Sequence, residues 1–165
     1  MVIGLSSKVS RVFIGGDWDA DGVVATALMN YTQEKLGVYP LHSKAIVEKK
    51  PVDPDRIRMI IGDLRGVYDL AIFLDLPYTP SVPRILELLK RHFGVKKIMY
   101  IDHHISTINN INVLEKVVDE LIVDKNNPTS MITYRLISEK GVRIPQRLKN
   151  FVDIVYYMDI GRRIP

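Results

Sequence analysis

Lys97-Ile98-Met99-Tyr100-Ile101-Asp102-His103-His104 is the stretch on which the fold of this chain is decided. Five residues that are mostly apolar and β-prone read as a buried strand. A strand that ends in one carboxylate and two imidazoles delivers ionisable groups to the edge of a sheet. The chain has four His in all, and two of them stand here side by side. Nothing structural requires that, so the weight of the triplet depends on what the other strands carry at their ends.

Upstream, Leu70-Ala71-Ile72-Phe73-Leu74 is an unbroken apolar run, the pattern of a central strand covered on both faces, and it stops at Asp75. Near the start, Arg11-Val12-Phe13-Ile14 is β-prone and stops at Gly15-Gly16, after which comes Asp17-Trp18-Asp19-Ala20-Asp21-Gly22. Between and beyond these runs the spacing predicts helices over 23–36, 54–65, 81–93, 128–140 and 145–159, a second strand over 39–47 followed by the polar break 48–51, a short helix over 113–119, and a last strand over 121–123. Alternating strands and helices, with no repeat or linker, predict one α/β domain over residues 1–165. It has a mostly parallel central sheet and helices on both faces.

Composition narrows the chemistry. With 165 residues, 47% of them apolar, the chain is long enough for a packed core. There is no Cys, so disulfides and thiolate metal sites are excluded and any metal must be held by carboxylate, imidazole and water. Residues 1–10 lack a signal-peptide pattern and no run approaches a membrane span, so a cytoplasmic protein without membrane contact is expected. The net charge of +4 suits an anionic partner without identifying one.

In a parallel sheet the ligand site lies at the carboxyl ends of the strands. Three ends here carry acids or imidazoles, and a rim of carboxylates with little water between them calls for a cation. Other readings of the acidic loop fit its residues less well. Asp17, Asp19, Asp21 and Gly22 open like a calcium loop, but the twelfth position, where a bidentate Glu belongs, is Leu28. Asp19-Ala20-Asp21-Gly22 also resembles a phosphorylated-aspartate phosphatase loop, but Gly15 to Trp18 separate it from the strand and Val23 stands where Thr is usual. A solvated acidic turn without a ligand leaves the endings at Asp75 and Asp102 unexplained.

The order of Asp19 and Asp21, Asp75, Asp102-His103-His104 and a late Asp resembles the DHH phosphoesterase superfamily. The phrase from Gly16 to Val23 is closest to its RecJ-like nuclease branch. The resemblance implies two divalent ions, Mn²⁺ in preference to Mg²⁺, sharing a water. Asp21, Asp75, His103 and Asp159 would form one site, with Asp153 the other candidate for the late ligand. Asp19 and the bridging Asp75 would contribute to the second. His104 would contact the phosphate or protonate the leaving group, and Asp102 would orient its neighbours. The family's His before Asp19 is replaced by Asp17 or Gly15, which makes Asp17 a candidate oxygen ligand.

The family's smaller C-terminal domain is not found in the chain, which predicts a lone catalytic domain completed by a homodimer mate or another partner. The resemblance implies a metal-dependent phosphodiesterase, an exonuclease in family terms, acting on single-stranded DNA or short RNA. A scaffold with weakened catalysis in replication or repair is one alternative, and a small-molecule phosphoesterase acting on a nucleotide, cyclic dinucleotide or pyrophosphate is another. Trp18 is a candidate for stacking on a base, and Arg162 and Arg163 for meeting phosphates.

Overall fold

The computed structural model describes residues 9–159 and 161. Five strands, β1 (Ser10–Gly16), β2 (Ala45–Pro51), β3 (Leu70–Leu74), β4 (Ile98–Asp102) and β5 (Glu120–Val123), form one sheet in the order β2-β1-β3-β4-β5, with every neighbouring pair parallel. This is the flavodoxin-like order of a doubly wound sheet. The expected α/β architecture with a parallel sheet and helices on both faces is what the chain adopts.

Period-two alternation explains the two covered faces. Phe13, Ala71, Phe73, Ile98 and Tyr100 point to one side, beneath α3 (Ser81–His92) and the segment from Pro54 to Asp63. Val12, Ile14, Ile72, Leu74, Met99 and Ile101 point to the other. There they meet α1 (Ala20–Asn30), α6 (Thr129–Glu139) and α7 (Gln146–Asp159). Each such buried side chain contributes roughly 1.5–3 kcal/mol of transfer free energy, so the central strands anchor the fold.

The helices obey their local signals. In α1, Ala25, Leu28 and Met29 fall on one face, and Asp19 caps its start by accepting from the Gly22 N–H at 2.9 Å. The helix continues as a wider π turn over Tyr31–Leu36 and stops at Gly37, whose φ of 67° suits a residue without Cβ. In α3, Val82, Ile85, Leu86 and Leu89 form the buried stripe. Lys90, Arg91 and His92 sit in its last turn, where positive charge is favoured.

Three segments depart from the sequence expectation. The second strand is not 39–47 but Ala45–Pro51, so the supposed polar break is itself strand. An edge strand has only one neighbour to satisfy and tolerates charged residues and a terminal Pro. The helix expected over 54–65 is a 3-10 turn over Pro54–Met59 followed by the short α2 (Ile60–Asp63). Residues 113–119 are not one helix; two single turns, α4 (Ile105–Ile108) and α5 (Ile111–Leu114), precede β5. Among the described residues no helix is long and apolar enough to cross a membrane.

Glu48 in β2 is held by the Arg11 guanidinium and the Tyr68 hydroxyl, and Arg11 also lies over the Tyr68 ring, 4.8 Å from its centroid. Burial alone would raise the Glu48 carboxyl, but the Tyr68 and Arg11 hydrogen bonds outweigh it and hold the group below its ordinary value. A carboxylate so depressed stabilises the fold above its unfolded pKa, and that contribution is lost as pH falls through the lower folded value. Glu48→Gln is therefore expected to lower stability at pH 7 by about 1 kcal/mol or less, given its partial exposure, and the deficit is expected to shrink toward pH 3. Urea unfolding at the two pH values tests this, and an equal deficit at both would contradict it.

Candidate metal centre

The register sets the site. Gly16 pairs with Leu74 and Leu74 with Ile101, so the next residues, Asp17, Asp75 and Asp102, emerge in one row at the carboxyl edge of β1, β3 and β4. The chain leaves β1 toward β2 on one side and returns to β3 on the other. The row therefore opens at the point where the winding reverses, which is where this class of sheet binds ligands.

Asp75 is at the centre of it. It is wholly buried, and its φ of 58° is the single positive value outside glycine among the described residues. Asp tolerates the left-handed region better than most residues, yet such a conformation is typical of places where a side chain must be aimed. The Thr129 hydroxyl donates to Asp75 Oδ1 at 2.9 Å, whereas the buried Oδ2 has no hydrogen-bond partner. His103 Nε2 lies 3.4 Å and His104 Nδ1 3.9 Å from Oδ1. Asp75, His103 and His104 each offer a donor atom within 4.8 Å of the others, close enough to share one ion.

Asp21 is buried in the first turn of α1. Its two oxygens accept from the Thr129 and Ser130 backbone N–H groups at 2.6 and 2.8 Å, so the start of α6 holds this carboxylate in place. Asp21 Oδ2 also lies 3.7 Å from His103 Nε2. The loop that brings Asp21 inward depends on Gly22, where a Cβ would meet the Asp17 carbonyl oxygen at 2.6 Å and the Asp17 nitrogen at 2.8 Å. Asp19 is exposed at the mouth.

The electrostatics follow from crowding. Burial first, and the Asp75 charge second, push Asp21 up to about 7. Burial raises Asp75, and Asp19 adds to it. Asp17 is raised by burial, with Asp19 adding to the effect. His103 is pushed up to about 9, chiefly by its approach to Asp75. His104 is raised by its bond to Asp102. Here Nδ1 donates to the buried Asp102 Oδ1 at 2.8 Å, which fixes the ring. Acids that resist ionisation beside imidazoles that hold their protons are groups short of positive charge. The uncommitted Asp75 Oδ2, the oxygen and nitrogen donors and this shortage together fit a hard or borderline divalent cation.

The remaining expected residues divide. The charge of Asp159, at the end of α7, raises His103, whereas Asp153 is turned to Lys149 at 2.6 Å. The charge of Asp17 interacts with His104 on one side and Asp53 on the other. Trp18 is exposed at the rim. Arg162 and Arg163 lie outside the described residues. Thr129 and Ser130 were not anticipated as site residues. Pro128-Thr129-Ser130 marks a helix start in the sequence, but nothing local says that its N–H groups face a carboxylate 108 positions earlier.

No family model and no curated protein matches the chain. An uncharacterized protein from Helicobacter pylori G27 superposes with a TM-score of 0.62 at 18% identity, over 92% of this chain and 43% of that one. The chain thus spans less than half the length of that protein, and the likeness shows the fold alone. A CheY-like response regulator receiver domain protein from Methanospirillum hungatei JF-1 gives 0.45 at 18% identity, over 81% of this chain and 97% of its own. A putative pilus assembly-related protein from Burkholderia pseudomallei K96243 gives 0.47 at 12%, over 81% and 90%.

The assignment to the DHH superfamily and its RecJ-like branch is overturned: no family model, of that superfamily or any other, matches the chain. The physical reason lies in the topology. A 2-1-3-4-5 sheet sets the ends of β1, β3 and β4 side by side in any chain that adopts it. Acidic strand ends in that order therefore report the fold without naming a family.

Proposed function

We propose that the chain is a divalent-metal-dependent phosphodiesterase that cleaves single-stranded or short nucleic acid with water as the nucleophile. The observation that carries this reading is Asp75: buried, left-handed, with one oxygen tied to Thr129, the other uncommitted, and two imidazoles beside it.

Asp75, Asp21 and His103, with Asp159 nearby, would hold one ion; Asp19, Asp17 and the shared Asp75 would hold a second. Bound there, divalent ions would make a water acidic and neutralise the oxygens of a phosphodiester, with Mn²⁺ favoured over Mg²⁺ by the imidazole donor. The protein's own part is positioning and proton handling. Thr129 and the start of α6 fix Asp75 and Asp21 before substrate arrives. Asp102 holds His104 through Nδ1, which leaves Nε2 as the nitrogen that can bond a phosphate oxygen or return a proton to the leaving oxygen.

Calorimetric titration with Mn²⁺, paired with cleavage of a labelled single-stranded oligonucleotide, tests the reading. Two bound ions and cleavage that disappears with a chelator are expected. Absence of cleavage at saturating metal would reject the enzymatic reading and leave a binding or scaffold role.

A further inference from the structure

Beside the acidic row lies a groove that the chemistry above does not use. Trp18 is 67% exposed, and Met59 across the groove is 65% exposed. Between them is a cavity of about 410 Å³ lined also by Lys50, Pro51, Arg56 and the carboxylates Asp53 and Asp63, within the ~300–1,000 Å³ range of small-molecule sites. A second cavity of about 240 Å³ shares Trp18, Lys50 and Pro51 and extends to Gly16 and Asp17. Asp17, in the wall of that second cavity, interacts electrostatically with both His104 and Asp53.

The cations of the groove are loosely held. Lys50 Nζ is 3.8 Å from Asp63 Oδ1, and Arg56 Nε is 3.8 Å from Asp53 Oδ2. Lys49, by contrast, is committed to Glu34 at 2.9 Å and Asn30 at 3.0 Å. Lys50 and Arg56 can therefore turn toward an anion at small cost, whereas Lys49 cannot. A flat exposed indole, a polarisable thioether and two available cations next to a site for phosphate chemistry form a combination suited to an aromatic ring that carries a phosphate.

We propose that this groove seats one nucleotide unit of the substrate, its base against Trp18 and Met59 and its phosphate toward Lys50 and Arg56. The proposal rests on the phosphodiesterase reading for where the scissile bond lies, but its test does not. Trp18 is the single tryptophan of the chain, so its fluorescence reports on what binds beside it in these cavities. The full chain is titrated in EDTA with adenosine 5′-monophosphate and, separately, with ribose 5-phosphate.

Saturable quenching by the nucleotide and none by the sugar phosphate is expected. The double variant Lys50→Glu, Arg56→Glu is expected to weaken nucleotide binding by about tenfold or more, as for loss of charge-assisted phosphate contacts. No quenching, equal quenching by both compounds, or unchanged affinity in the double variant would each overturn the proposal. Quenching without oligonucleotide cleavage would uphold the groove and reject the hydrolase reading. Cleavage without quenching would do the reverse.

Discussion

Asp75→Asn is expected to abolish metal binding and, in the absence of metal, to leave the protein more stable than its parent. Asn keeps the shape of the side chain, tolerates the left-handed backbone at φ 58°, and can still accept from the Thr129 hydroxyl. What it removes is a buried negative charge that burial and Asp19 both disfavour. For such a raised carboxyl the sign is fixed: ionisation at neutral pH opposes folding, because the folded state holds the proton more tightly than the unfolded one. Part of that gain is offset by losing the attraction to His103, so a net stabilisation of about 1 kcal/mol, or ~2–4 °C in Tm, is expected. Metal affinity should fall by at least ~100-fold, since in the proposed arrangement Asp75 is the carboxylate that would serve both ions and it has lost its charge. Calorimetry and thermal melts with and without Mn²⁺ measure both effects. An unchanged metal stoichiometry, or a lower Tm in EDTA, would sink this account.

His104→Ala should instead separate catalysis from metal binding. The ring is held by the buried Asp102 through Nδ1, the arrangement of a positioned acid or hydrogen-bond donor. Losing such a group costs typically 10²–10⁴-fold, so kcat is expected to fall by about that range. Mn²⁺ binding should be retained, since Asp75, Asp21 and His103 remain to bind the ion. His104 Nδ1 is 3.9 Å from Asp75, so the alternative that it binds metal directly is a real one. Loss of a bound ion in His104→Ala would establish that alternative and end its role as a proton donor. Asp102→Asn gives an independent check, with a smaller loss of kcat and metal binding retained.

Much of the fold could be read from the chain because its central strands are continuous apolar runs that end at an acid. Leu70 to Leu74 and Ile98 to Asp102 have no other plausible reading, and their ends locate the site. The edge was less legible. Glu48, Lys49 and Lys50 look like a break, yet Glu48 finds Arg11 and Tyr68 across the sheet, and the two lysines face solvent on a strand with one neighbour. The anchoring of Asp21 by α6 was invisible for a different reason: backbone N–H groups leave no trace in residue identity. The family resemblance failed because ordered motifs were credited to descent when the winding of the sheet already brings those strand ends together.

The position of β1 between β2 and β3 has a consequence for how the protein is made. On the ribosome, the first pair of strands that can form is β1 with the parallel β2, and the other edge of β1 stays open until residue 74 has emerged. An open edge rich in Val, Phe and Ile is a template for wrong pairing. Asp21 waits longer still, because its donors Thr129 and Ser130 are synthesised more than a hundred residues later. Until then Asp21 lacks the N–H groups that hold it in the folded protein. The centre can therefore close only after residue 130 has been made, and pairings of such sequence separation close slowly.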